Sequence, residues 1–109
     1  MAYTEKQHQK KVNTFEDITI ALRNLYDAKN RDYGDSFGQS FDKWGLAMSC
    51  IRLSDKLNRL DSFAMKQDMK VSDESVEDTL MDMANYAIMT LVEMRVAREK
   101  MEGEQVCLK

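Results

Sequence analysis

No proline occurs anywhere in this chain of 109 residues, and there are only four glycines: Gly34, Gly38, Gly45 and Gly103. A sheet protein needs a turn every ~8–12 residues, and turns draw heavily on these two residue types. A chain so poor in both can reverse direction only a few times. Leu, Met, Ala, Glu, Lys and Asp supply much of the remainder, and most of these suit helices. The expectation is an all-α protein, a small helical bundle. Its length allows one domain with a modest core.

The net charge of −3 argues against extended nucleic-acid binding, which needs a basic surface, but leaves room for a local basic pocket for one nucleotide. The two cysteines, Cys50 and Cys107, lack metal-site spacing and read as free thiols of a reducing, cytoplasmic setting. The first residues contain no apolar stretch of the signal-peptide type. No run of ~20 apolar residues is present, so no membrane partner is expected.

Residues 1–13 are polar and mixed in charge, and read as a flexible arm ahead of a single helical domain over 14–102. Thr14 with Asp17 looks like a capping start. Phe15, Ile18, Leu22 and Leu25 follow at helical spacing to about Lys29. Residues 30–41 have loop chemistry, yet carry Tyr33, Phe37 and Phe41. A second helix is expected from Ser40 or Asp42 to about Ala64. It has one apolar stripe through Leu46, Leu53, Leu57 and Leu60, and another through Trp44, Met48 and Ile51 that continues into Asp55. After a polar connection, Ser72 or Asp73 would cap a third helix running to about Glu102. Val76, Leu80, Met83, Ala84, Ala87, Leu91 and Met94 would line its core face, with Gly103 as the stop before a tail over 103–109. Two long helices in so short a chain would leave apolar surface uncovered, so a homo-oligomer is expected.

Glu74, Asp78, Asp82 and Asn85 recur at helical spacing with Glu77 beside them, while Met81, Met89 and Val92 surround the same stripe. Buried carboxylates must be paired, hydrogen-bonded or metal-bound. Two readings follow: a hard-cation site, or acids neutralised by basic side chains. Asp55 either pairs with Arg52 or Arg59, or joins Asp78 and Asp82 across a helix–helix groove, as carboxylates do in metal-binding bundles. Lys29, Arg31, Lys43, Arg52, Lys56 and Arg59 could meet phosphate oxygens, and Tyr33, Phe37 and Trp44 could stack on a base or simply pack.

Two stretches resemble a known family. Lys29-Asn-Arg-Asp-Tyr-Gly-Asp-Ser-Phe37 is similar to the Lys-Asn-x-Asp-Tyr-Gly-Asp-Ser-Phe signature of the phage and bacterial nucleotide-modification-associated helical domain. Ile51-Arg-Leu-Ser-Asp-Lys-Leu-Asn-Arg-Leu60 and Asp73-Glu-Ser-Val-Glu-Asp-Thr-Leu-Met-Asp-Met-Ala-Asn-Tyr-Ala87 resemble its Arg-x-x-Asp-Lys-x-x-Arg and Asp-Glu-Ser-x-x-Asp-Thr-x-x-Asp-x-Ala-Asn-Tyr patterns. The likeness spans about residues 25–95 and implies a phage-linked role in nucleotide metabolism. A more distant likeness is to MazG-type all-α nucleotide pyrophosphohydrolases. These hold Mg²⁺ through Glu-x-x-Glu on one helix and Glu-x-x-Asp on the next, usually as oligomers. Glu77, Asp78 and Asp82 are a loose counterpart of the second pair. Arg52-Leu-Ser-Asp55 offers one acid where the first pair has two.

Together these readings give a nucleotide-binding protein, with Mg²⁺-dependent pyrophosphohydrolysis as the leading expectation. Asp55, Asp78 and Asp82 would be catalytic, and would hold the metal with Glu74 and Glu77. Lys29, Arg31, Asp32, Tyr33, Arg52, Lys56, Arg59 and Asn85 would contact the nucleotide. The alternatives are a protein that sequesters a nucleotide or nucleotide signal without cutting it, and a helical protein-interaction module.

Overall fold

A computed structural model describes residues 2–66, 70–71 and 74–107. The fold is all-α, with four helices among the described residues, of which α1 (Glu5–Asp32) and α4 (Val76–Cys107) are the longest. The chain divides into two compact units, residues 1–34 and 35–109.

The first unit is α1. It starts at Glu5, so most of the stretch expected as an arm is helical. The reason lies at Thr4. Its hydroxyl accepts from the Gln7 N–H at 3.0 Å, and the Gln7 side-chain carbonyl accepts from the Thr4 N–H at 2.8 Å. This reciprocal cap satisfies two otherwise orphaned donors. Thr14, the expected cap, lies inside the helix and donates to the Lys10 carbonyl at 2.8 Å. Of the apolar stripe, Leu22 is buried and Leu25 half-buried, while Phe15 and Ile18 are exposed.

The second unit begins with α2 (Ser36–Trp44) and α3 (Leu46–Lys66). The stretch expected to be an aromatic loop is therefore mostly helix, reduced to a turn at Tyr33–Asp35. Gly34 and Asp35 both take φ +59°, a region open to glycine and tolerated by aspartate. The single helix expected from residue 40 onward is two helices. Gly45 parts them at φ +67°, ψ −153°, a conformation essentially reserved for glycine. Next, β1 (Lys70–Val71) pairs antiparallel with β2 (Glu74–Ser75), Val71 opposite Glu74. The N-terminus of α4 is capped by Ser75; Ser72 and Asp73, the expected caps, lie outside the described residues. Ser75 Oγ accepts from the Asp78 N–H at 3.0 Å, and the Asp78 carboxylate accepts from the Ser75 N–H at 3.2 Å. Gly103 does not stop α4, which continues to Cys107; a glycine costs a helix interior only about 1 kcal/mol.

Helix α4 packs on α3 and α2. Phe37, Met48 and Phe63 are buried in this unit, together with Ser49, Thr79, Asn85 and Thr90. The inward face of α4 is mostly not the one expected, of which Val76 and Met83 alone are half-buried. Thr79, Asp82, Asn85, Met89, Thr90 and Val92 are buried or half-buried, whereas Leu80, Ala84, Ala87, Leu91 and Met94 are exposed. Small polar residues suit the inside because they let the helices approach and still find partners. Thr90 Oγ1 lies 2.7 Å from Ser49 Oγ on α3 and donates to the Tyr86 carbonyl at 2.7 Å. Among the described residues, every buried side-chain nitrogen and oxygen has a hydrogen-bond partner, as burial requires. No described helix is long and apolar enough to cross a membrane.

Candidate functional site

Arg52, Lys56 and Arg59 follow one another at intervals of four and three on α3, which places them on one face. Glu74 comes from β2, directly ahead of α4, where the pairing with Val71 fixes its backbone. Asp82 lies two turns into α4. The antiparallel pair thus presents Glu74, and α4 presents Asp82, to the cations of α3.

Lys56 Nζ donates to Glu74 Oε1 at 2.8 Å and lies 2.9 Å from Asp82 Oδ2. Arg59 donates to Glu74 Oε2 at 3.0 Å, and the hydroxyl of fully buried Thr79 donates to the same oxygen at 2.8 Å. Two cations thus face two anions. The Lys56 and Thr79 hydrogen bonds hold the Glu74 carboxyl at a pKa of about 2 against burial, and the Lys56 and Arg59 charges add to this. Burial pulls the Lys56 ammonium down, but hydrogen bonds to Glu74 and Asp82 outweigh it and leave its pKa raised. Both groups are held in their charged forms.

One turn before Lys56, half-buried Arg52 has different company. Its guanidinium lies 5.8 Å from the ring centroids of both Phe37 and Tyr86, whose rings stack 6.3 Å apart at an interplanar angle of 10°. Its Nε donates to Met48 Sδ at 3.1 Å. Among the described residues no carboxylate forms an ion pair with Arg52. An arginine held in cation–π range of aromatic rings keeps its fork of donors available to a planar or tetrahedral anion.

The remaining expected residues lie elsewhere. Asp55 is exposed and, among the described residues, joins neither the acids of α4 nor an ion pair with Arg52 or Arg59, although it stands within one turn of each on α3. Asp78 is exposed and spends its carboxylate on the helix cap, and Glu77 is exposed beside it. The acid stripe therefore resolves into a paired set, Glu74 with Asp82, and acids outside it. Among the described residues no three His, Cys, Asp or Glu side chains are placed to hold a metal ion. Asn85 is buried on α4. In the first unit, Lys29, Arg31, Asp32 and Tyr33 are exposed at the C-terminal end of α1, where Arg31 meets Asp27 at 3.2 Å. Phe37 is buried against Tyr86, whereas Trp44 is exposed with Lys43 Nζ 5.5 Å from its ring centroid.

Thr79 and Tyr86 were missed by sequence reasoning as members of this arrangement. The signal was present in both. Thr79 falls among the acids at their helical spacing, and Tyr86 follows Asp82 by one turn on the same face.

No curated protein and no solved structure matches the chain. A family described as nucleotide modification associated domain 1 matches residues 29–94, well over half of the chain. The matched segment contains Arg52, Lys56, Arg59, Glu74, Thr79, Asp82 and Tyr86, and the chain belongs to the nucleotide modification associated domain 1 family.

Proposed function

We propose that this protein binds a phosphate-bearing nucleotide on the second unit, with Arg52 as the anion anchor. One observation carries the reading: half-buried Arg52, its guanidinium in cation–π range of Phe37 and Tyr86, has no carboxylate partner among the described residues. Lys56 and Arg59 are already neutralised by Glu74 and Asp82, so an incoming anion gains most at Arg52. The paired network then serves as a rigid wall of the site. Membership of a nucleotide-modification-associated family supports the choice of a nucleotide over other anions.

Isothermal titration with nucleoside mono-, di- and triphosphates in the presence of EDTA tests this. Wild-type protein is expected to bind at least one of them. Arg52→Ala is expected to weaken that binding by roughly ten-fold or more, as loss of a charge-assisted contact does. Arg52→Lys retains the charge without the planar fork and should restore only part of the loss. Binding that Arg52→Ala leaves unchanged would sink the reading.

A second reading is Mg²⁺-dependent pyrophosphohydrolysis. Its support is that Glu74 and Asp82 converge on one point, which Lys56 Nζ occupies at 2.8 and 2.9 Å. The residues as arranged do not fit a magnesium site, which needs near-octahedral oxygen ligation. Lys56 already satisfies the two carboxylates, and Asp55, Glu77 and Asp78 stand apart. Incubation with Mg²⁺ and the same nucleotides separates the readings. Pyrophosphate release that Asp82→Asn abolishes would favour hydrolysis over simple binding.

A further inference from the structure

We infer that the outer face of α4 is the contact surface for a second copy of this chain, joined antiparallel. Leu80, Ala84, Ala87, Leu91, Met94, Arg98 and Met101 succeed one another at alternating intervals of four and three, the spacing of a coiled-coil seam. All seven are exposed, Leu91 at 53% and Met101 at 63%. The opposite side of α4 is the one used within the unit, through Asp82, Asn85, Met89 and Val92, with buried Thr79 and Thr90 at its edge. A seam of this length, ~30 Å at 1.5 Å per residue, is too regular and too apolar to be an ordinary wet face.

The residues of the seam select both the partner and its direction. A parallel pair of α4 helices would set Ala84 against Ala84 and Ala87 against Ala87, leaving the centre underfilled. It would also oppose Arg98 to Arg98 and Glu77 to Glu77. The antiparallel pair removes all four conflicts. Ala84 then faces the partner's Met94, and Ala87 faces the partner's Leu91, so small meets large in each central layer. Arg98 packs its stem on the partner's Leu80 and brings its charge within one turn of the partner's Glu77. The acidic first turn of α4, Glu77 and Asp78, thus meets the arginine-bearing half, Arg95 and Arg98, and the helix dipoles oppose. A self-complementary surface of this kind closes as a two-fold dimer.

The test is sedimentation velocity on the full chain across a concentration series. Wild type is expected to run as a dimer of a 12.7 kDa protomer. Leu91→Glu, which places two charges in the centre of the interface, should raise the dimer Kd on the order of 100-fold while far-UV circular dichroism stays helical. Val96→Glu, at an exposed position off the seam, should leave the dimer intact. Should Leu91→Glu lose its fold, charge reversal decides the matter. Glu77→Arg and Arg98→Glu should each weaken the dimer by roughly ten-fold, and the double variant should restore it. A monomer at every concentration, as an intramolecular cover of the seam would give, overturns the inference. So does a dimer indifferent to Leu91→Glu, or a double reversal that adds the two losses.

Discussion

Replacing Glu74 by glutamine removes the charge on which Lys56, Arg59 and Thr79 converge. In the folded chain this carboxyl has a pKa of about 2 against an ordinary 4.5. A difference of some 2.5 units, at about 1.4 kcal/mol per unit, amounts to about 3 kcal/mol of folding stability. The side chain is 19% exposed, so solvent screening takes little from this figure. The sign follows from the direction of the shift. A depressed carboxyl stabilises the folded chain fully above its unfolded pKa of 4.5, and the contribution disappears as pH falls from there through 2. Urea unfolding followed by far-UV circular dichroism at pH 7, 5 and 2.5 measures it. Wild type should lose much of this 3 kcal/mol between pH 5 and pH 2.5, beyond whatever other carboxylates contribute. Glu74→Gln should be about 3 kcal/mol less stable at pH 7, a large share of the ~5–15 kcal/mol of a small domain. It should also show a correspondingly flatter pH dependence. Equal stability of variant and wild type at pH 7, or an unchanged slope between pH 5 and 2.5, would show that the Glu74 network does not hold α3 to α4.

Gly45→Ala should cost roughly 1–3 kcal/mol in urea unfolding, because alanine is strained at φ +67°, ψ −153°. Ser75→Ala should cost ~1 kcal/mol by unfreezing the α4 cap, and Asp78→Ala a similar amount, while nucleotide binding by calorimetry stays unchanged. A selective loss of ligand binding in Asp78→Ala would instead return that residue to the site. Lys56→Met leaves Glu74 and Asp82 facing each other with Arg59 alone, and should destabilise the chain by about 3–5 kcal/mol in the same assay. Burial, with the nearby charges of Asp35 and Asp42, raises the Glu93 carboxyl, so its ionised form opposes folding. Glu93→Gln should therefore unfold at higher urea than wild type at pH 7, and the gap should close as pH falls and wild-type Glu93 takes up its proton.

Much of the architecture was open to reading from residue types. The absence of proline and the scarcity of glycine pointed to helices, and the periodicity of residues 73–102 located α4 to within a few residues. The capping logic was sound in kind but attached to the wrong residues. Thr4 with Gln7 and Ser75 with Asp78 carry the pattern that was sought at Thr14 and Ser72. Several residues of that kind lie near each helix start, and the choice between them depends on which backbone turns out of the helix. Gly45 hid the break between α2 and α3, since an isolated glycine inside an apolar pattern looks the same whether it is helical or at positive φ.

The candidate site was legible as a set of charges and illegible as a set of pairs. Spacing placed Arg52, Lys56 and Arg59 on one face, and Asp82 with Asn85 on another. It could not say that Glu74 belongs to a strand, that Lys56 sits between two carboxylates, or that Asp55 stays exposed outside their network.

The chain by itself determined that this is a helical protein, where its longest C-terminal helix lies, and which residues share each helical face, because propensity and period are local properties. Only tertiary structure decided which face of α4 turns inward. Thr79, Asn85 and Thr90 are buried where Leu80, Leu91 and Met94 are exposed, and hydrogen bonds from Thr79 to Glu74 and from Thr90 to Ser49 on α3 remove the cost of burying those hydroxyls. Those partners lie as far as 41 residues away in the chain, beyond the reach of any local pattern.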